Sequence, residues 1–273
     1  MTTLKLGVIA SLPEGPDEAL KKVHDLGLPT CQVTCWQREL LTPAVADQLR
    51  QASETYDVEI TTIWTGLPGP AVWNFVEGPV TIGLVPPEYR EERVATLKAG
   101  ADFAARVGVQ GITTHVGFIP ENMTDPLYPG VIDALKEVVQ YCGDRGLDFW
   151  FETGQETPVV LLRVIEALDR DNVGINLDPA NLLMYGKANP VDALDVFGTY
   201  VRGVHAKDGE YPTNGRELGA EKPLGQGRVG FPTLVSKLKA LGYTGALTIE
   251  REISGPQQIE DIRSAIEMLS ALV

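Results

Sequence analysis

Four short apolar runs in the second half of the chain each end in a side chain that can hold a metal ion or move a proton. Glu152 closes Phe149-Trp150-Phe151-Glu152, and Asp178 closes Gly174-Ile175-Asn176-Leu177-Asp178. His205 closes Gly203-Val204-His205, and Glu250 closes Leu247-Thr248-Ile249-Glu250. The spacings are 26, 27 and 45 residues. The first two each match one strand-plus-helix unit, and the third is one unit plus a long connection. A lone acid after a strand is ordinarily solvated or caps the next helix. Four in register on consecutive parallel strands would share one rim and read as a functional cluster.

Three carboxylates cannot converge there unaided. At about 4 Å and an effective dielectric near 20, each like-charged pair costs about 4 kcal/mol. Either the carboxyl pKa values rise or a cation sits among them. Oxygen donors with one imidazole suit one divalent ion, Mn²⁺, Mg²⁺ or Co²⁺, with Zn²⁺ also compatible. Such an ion polarises the carbonyl of an α-hydroxy carbonyl compound and acidifies the neighbouring C–H. One carboxylate then removes that proton and another group returns it. Glu152 and Glu250, three strands apart, are placed to flank a substrate and move protons. Return to the opposite face gives epimerisation, return to the adjacent carbon gives aldose–ketose isomerisation, and loss of a β-hydroxyl gives dehydration.

The elements that must position these residues alternate strictly. Strand-like runs cover Leu4–Ala10, Thr30–Cys35, Val58–Thr65, Gly111–Phe118, Leu147–Glu152, Val173–Asp178, Arg202–Ala206 and Ala246–Glu250. Amphipathic helical stretches follow at Pro16–Leu26, Pro43–Tyr56, Glu88–Val107, Val131–Arg145, Pro158–Leu168, Pro190–Tyr200, Pro232–Leu241 and Gln257–Leu272. Prolines open several helices and glycines (Gly27, Gly108, Gly146, Gly242) follow several, as cap chemistry predicts. Strict alternation implies parallel strands joined by right-handed crossovers. Eight units, each of about 34 residues, predict an α/β chain folded as one (β/α)8 TIM barrel spanning residues 1–273, in preference to an open doubly wound sheet. Two connections are long, 66–88 and 208–230, and loops of that length tend to carry function.

Composition narrows the partners. The 273 residues carry a net charge of −14, which argues against nucleic acid and against an anionic membrane surface. No apolar run reaches the length of a membrane span or a signal peptide. The three cysteines include no CxxC pair, and Cys31 and Cys35 would lie about 13 Å apart along a strand, too far for a disulfide. A cytoplasmic protein is expected on these grounds. The oligomeric state is open, a homo-oligomer included.

Further segments join the strand ends to a known group: Phe151-Glu152-Thr153-Gly154, Asn176-Leu177-Asp178-Pro179-Ala180-Asn181, Val204-His205-Ala206-Lys207-Asp208, Leu224-Gly225-Gln226-Gly227, and Gly242-Tyr243-Thr244-Gly245 running on to Thr248-Ile249-Glu250-Arg251. The chain resembles the sugar phosphate isomerase/epimerase family, the xylose isomerase-like barrels, over nearly its whole length. The resemblance implies that Glu152, Asp178, His205 and Glu250 bind one divalent metal and that the two glutamates are the acid and base. It implies an isomerase or epimerase of a sugar, sugar acid or keto-polyol. There are departures. The ketose 3-epimerase branch has a histidine where this chain has Asn181 and an arginine where it has Tyr211. The His-x-Lys-Asp pattern resembles branches acting on other keto-polyols, including inosose isomerases and dehydratases, so a dehydratase is the alternative enzyme. A sugar-binding barrel without activity is the non-enzymatic alternative. The DNA-repair endonuclease branch needs more histidines than the three present.

Other residues are expected at the substrate. Lys207 lies two residues after His205, so the strand period points both to one side, where a lysine can hold a carbonyl oxygen or a phosphate. His115, at the end of the fourth strand, is expected to contact substrate, as is Asn181. Trp36 and Trp73, in connections after the second and third strands, are expected to wall the pocket against water. Residues 225–230 fit the GxGxxG string but no strand precedes them, which argues against a nicotinamide cofactor. Their place after the seventh strand instead suggests an anion site using Arg228 and nearby amides, or a plain turn.

Overall fold

The computed structural model describes residues 3–273, so Met1 and Thr2 of the expected barrel lie outside the described residues. Eight parallel strands close on themselves: β1 (Leu6–Ser11), β2 (Thr30–Cys35), β3 (Glu59–Thr65), β4 (Gly111–Thr114), β5 (Asp148–Glu152), β6 (Val173–Leu177), β7 (Val201–Ala206) and, after a hairpin, β10 (Leu247–Ile249). The ring closes where β1 pairs with β10, Val8 opposite Ile249. The expected (β/α)8 architecture is what forms, and the competing open sheet is not.

The outer helices are α1 (Pro16–Asp25), α2 (Pro43–Tyr56), α4 (Pro87–Val107), α5 (Tyr128–Gly143), α6 (Pro158–Leu168), α8 (Pro190–Phe197), α9 (Phe231–Ala240) and α10 (Pro256–Ser270). Two short helices interrupt connections, α3 (Gly78–Thr81) after β3 and α7 (Pro179–Met184) after β6. The connection after β7 folds into a two-stranded antiparallel ribbon, β8 (Asp208–Gly209) with β9 (Glu221–Lys222). Thr42, Thr157 and Asn189 cap α2, α6 and α8 through their side chains, each ahead of a first-turn proline. Outward-facing strand residues such as Val33, Ile63 and Phe149 pack under the helices in one continuous apolar cluster. No helix among the described residues is long and apolar enough to cross a membrane.

One boundary differs in an instructive way. The fourth strand was expected to run to Phe118 but stops at Thr114. Gly117 takes a positive φ of 100° and passes so close to the Ile82 carbonyl that a Cβ there would lie 2.3 Å from its oxygen. The chain turns off the barrel at that crossing, and the Leu84 amide donates to the Val116 carbonyl at 2.7 Å. His115 therefore stands just past the strand rather than within it.

The barrel interior is polar at its centre. Gln32 of β2 reaches across to β6, where its Nε2 donates to Asn176 Oδ1 at 2.8 Å. Asn176 and His205 are likewise fully buried. Buried amides of this kind are tolerated because they satisfy one another.

Candidate active site

The four strand ends do converge. Glu152 is the last residue of β5, Asp178 follows β6, His205 lies in β7, and Glu250 follows β10. One potential ligand atom from each lies within 4.8 Å of all the others. His205 Nδ1 stands among the carboxylates, 2.9 Å from Glu250 Oε2, 3.3 Å from Glu152 Oε1 and 3.9 Å from Asp178 Oδ2. Its other nitrogen, Nε2, is 2.7 Å from Gln32 Oε1. Asn176 Nδ2 lies 3.0 Å from the same nitrogen, and these two amides orient the ring so that Nδ1 faces the cluster.

Asp178 shows how the local sequence sets up the site. Its Oδ1 caps α7 by accepting the Asn181 amide at 2.9 Å, while Pro179 fills the first helical position. The cap fixes the carboxylate and leaves Oδ2 pointing inward. Asp178 Oδ2, His205 Nδ1 and Glu250 Oε2 are all buried without a hydrogen-bond partner. The 2.9 Å approach of Nδ1 to Glu250 lacks the alignment of a hydrogen bond. Unpartnered buried polar atoms are costly and rare. Three of them facing one small space, with the Glu152 carboxylate beside them, fit a divalent cation held by Glu152, Asp178, His205 and Glu250.

Lys207 belongs to this centre. It is only 2% exposed, so its charge is enclosed with the carboxylates rather than solvated. Its Nζ donates to Glu252 Oε1 at 2.8 Å and Asn181 Oδ1 at 3.3 Å, and stands 3.4 Å from Asp178 Oδ2 and 3.6 Å from Glu250 Oε2.

The electrostatics follow from burial set against these neighbours. Burial opposes ionisation of Asp178, but Lys207 and then His205 outweigh it and hold the carboxyl down at about 2. Burial likewise opposes charge on Glu152, yet the His115 and His205 rings keep it below the ordinary range. Glu250 goes the other way: burial raises it, and Lys207 and His205 only partly offset this. His205 would lose its proton on burial alone, but Glu152 and Glu250 raise it well above the ordinary histidine value.

An aromatic wall adjoins Glu152. The Trp64 indole N–H donates to Glu152 Oε2, and His115 Nε2 is 3.4 Å from Glu152 Oε1. Burial lowers the His115 pKa, and the Glu152 carboxylate opposes that shift. Trp36 and Trp73 continue the wall outward, Trp36 at 4.7 Å from Trp64 and Trp73 at 5.3 Å from His115 between ring centroids. These rings, with Asn181 and Tyr185, line a cavity of about 710 Å³ that also contains Glu152, His205 and Glu250.

The structure corrects the reading of the glycine-rich loop. Arg228 is exposed and is not among the residues lining this cavity. The loop amides that were candidates for an external anion already bind an internal one. Asp208 accepts from Gly209 and Val229 through Oδ1 at 2.9 and 3.1 Å, and from Gly225 and Gly227 through Oδ2 at 3.0 and 3.1 Å. Gly227 is needed for this approach, since a Cβ there would lie 2.2 Å from Asp208 Oδ1. Tyr211 spends its hydroxyl on the Gly186 carbonyl at 2.8 Å, tying two loops together.

Trp64, Gln32, Asn176 and Glu252 were not singled out from the sequence. Gln32 and Asn176 carried a signal, since each is a lone amide inside an otherwise apolar or small-residue strand. Trp64 had none, because a tryptophan near a strand end more often packs in a core.

A family profile described as "Xylose isomerase-like TIM barrel" matches residues 20–272. The chain belongs to that family. Among solved members of the xylose isomerase-like group, a xylose isomerase domain protein from Planctomyces limnophilus is 36% identical, with a TM-score of 0.93 over 98% of this chain and 97% of that one. A D-tagatose 3-epimerase-like protein superposes with a TM-score of 0.75 over 98% of both chains at 22% identity, which shows the shared fold. An uncharacterized protein of Methanocaldococcus jannaschii is 25% identical over 264 residues, 91% of this chain and 84% of its own length.

Proposed function

We propose that this xylose isomerase-like barrel is a divalent-metal-dependent isomerase or epimerase of a sugar, sugar acid or keto-polyol. The observation that carries this is the group of three unpartnered buried donor atoms between the glutamates of β5 and β10. A divalent ion held by Glu152, Asp178, His205 and Glu250 would act as a Lewis acid towards a substrate carbonyl. The remaining work falls to the protein's own side chains. Glu152 removes the proton beside the carbonyl, leaving an enediolate, and Glu250 returns a proton from the other flank, the roles exchanging with direction. Trp64 and His115 hold the Glu152 carboxylate in place. Lys207 supplies a fixed positive charge for the substrate oxygen on which negative charge develops. Asn181, whose amide oxygen accepts from Lys207, lies in the cavity to meet a hydroxyl, and Trp36 and Trp73 exclude water.

Structures sharing this fold include a D-psicose 3-epimerase and a 3-keto-D-glucoside 4-epimerase from E. coli, which supports chemistry of this class. The three cysteines are free and buried, consistent with the cytoplasmic expectation. The test is solvent-deuterium incorporation into a panel of keto-sugars and keto-polyols in D₂O with Mn²⁺ added. Exchange at a carbon beside the carbonyl, lost in Glu152→Gln and Glu250→Gln, is expected. Retained product mass identifies isomerisation or epimerisation, and loss of water identifies the dehydratase. Absence of exchange into every compound, or no uptake of a divalent ion on reconstitution, would overturn the assignment.

A further inference from the structure

A second cavity opens at the opposite end of the barrel, where the rim chemistry has no part. It measures about 390 Å³, within the range of about 300–1,000 Å³ found for small-molecule sites, and shares no lining residue with the rim cavity. The interior of an eight-stranded barrel is ordinarily filled by layers of bulky branched side chains. This foot is lined instead by Thr30, Gln32, Trp150 and Thr248 from the strands and by the 242–246 turn ahead of β10. Thr248 is 1% exposed, and its hydroxyl has no hydrogen-bond partner. A buried hydroxyl left unpaired is costly. Thr30 and Thr61 of the same lining avoid that cost by donating to the Leu6 and Cys31 carbonyls at 2.9 and 3.1 Å.

Arg202 lines the same cavity, and a bulge places it there. Ile175 pairs with Val201 and Asn176 with Gly203, so Arg202 is the extra residue of β7. Bulges re-aim side chains, often at functional sites. Arg202 folds back against Gly174, where a Cβ would lie 2.5 Å from its Cγ. Its Nη1 donates to the Thr199 and Val201 carbonyls at 3.0 and 3.3 Å, and no carboxylate among the described residues pairs with it. The other charges of the lining, Lys5 and Glu59, pair with each other, and Asp148, outside the lining, accepts the Trp150 indole N–H at 3.4 Å. One positive charge of the lining is left over, on a planar fork that suits a carboxylate. Thr248 pairs with His205, three residues along β7 from Arg202, so it lies about 10 Å deeper at about 3.3 Å per residue.

We infer that the barrel foot is a second binding site, for a short hydroxycarboxylate. Its carboxylate meets the Arg202 guanidinium, and its hydroxyl, further in, accepts from Thr248. Isothermal titration calorimetry on the Mn²⁺-loaded full chain tests this with 4-hydroxybutyrate, with butyrate and 1,4-butanediol as analogues lacking one group each, and with glycerol 3-phosphate. 4-Hydroxybutyrate is expected to bind about tenfold or more tightly than 1,4-butanediol, and about threefold or more tightly than butyrate. Glycerol 3-phosphate, with its second negative charge, is expected to bind no more tightly than 4-hydroxybutyrate. Arg202→Gln should erase the preference over the diol, and Thr248→Val the preference over butyrate, each without moving the other. Glu152→Gln, at the rim, should leave all four affinities unchanged. No binding of 4-hydroxybutyrate, equal affinity for the three analogues, tighter binding of the phosphate, or loss of binding in Glu152→Gln but not in Arg202→Gln would each overturn the inference. The reaction proposed at the rim stands or falls separately, on deuterium exchange, because these probes report binding at the foot alone.

Discussion

Glu156 provides a test of the electrostatics that involves none of the proposed chemistry. It sits in the turn between β5 and α6, 4% exposed, and burial pushes its carboxyl up to about 8 from an ordinary 4.5. Lys187 offsets only part of that burial. Between pH 4.5 and 8 the folded chain therefore holds a proton that the unfolded chain has released. Stability from this group is complete below about pH 4.5, falls as pH rises, and is gone above about pH 8. The shift of about 3.5 units at about 1.4 kcal/mol each sets a ceiling near 5 kcal/mol, of which roughly 3 is already lost at pH 7. Glu156→Gln keeps the shape and removes the titration. Urea unfolding of the two proteins in parallel at pH 5, 7 and 9 isolates the difference, since every other titrating group is shared. The variant's advantage is expected to grow by about 1.4 kcal/mol per pH unit up to about pH 8 and then level off. Curves that run parallel across that range would show that the Glu156 carboxyl is solvated or paired in solution and would refute the reasoning.

At the site, Glu152→Gln and Glu250→Gln are each expected to lower the exchange rate about 10²–10⁴-fold, the usual worth of a positioned acid or base, with circular dichroism unchanged. Trp64→Phe keeps the ring but removes the donor to Glu152. Losing a hydrogen bond to a charged group is worth about 1.5–3 kcal/mol, so kcat should fall roughly 10- to 100-fold, and an unchanged kcat would remove Trp64 from the positioning role. Asp208→Ala strips the acceptor from four backbone amides and should cost about 3–5 kcal/mol in urea unfolding. Hydrogen exchange should rise at Gly225, Gly227 and Val229, and unchanged protection there would show that the loop is held by other contacts.

Much of this protein is written locally. Alternation of apolar runs with amphipathic stretches, punctuated by first-turn prolines and trailing glycines, specifies several units within a residue or two, as at Pro43–Tyr56 and Pro158–Leu168, although the fourth strand ends four residues short of its apolar run. Eight such units leave barrel closure as the natural solution. A polar residue at the end of a strand is equally legible, because parallel strands one unit apart deliver their ends to one rim. That reasoning located Glu152, Asp178, His205 and Glu250 without any knowledge of contacts.

What resisted local reading depends on segments distant in the chain. Arg228 looked like an anion ligand because its loop has the glycines of a phosphate nest, but the nest is filled by Asp208, and only the folded loop brings the two together. Lys207 was legible as a rim residue from its spacing to His205, but its burial and its pairing with Asn181 and Glu252 exist only in the folded chain. Trp64 meets Glu152 across 88 residues, and Gln32 meets His205 across 173. The sequence by itself determined the barrel and the four chemical groups at its rim, because side-chain period and strand order are local properties. The tertiary structure decided which neighbours set their charge, orientation and access, because burial and electrostatic pairing exist only once distant segments share the same low-dielectric space.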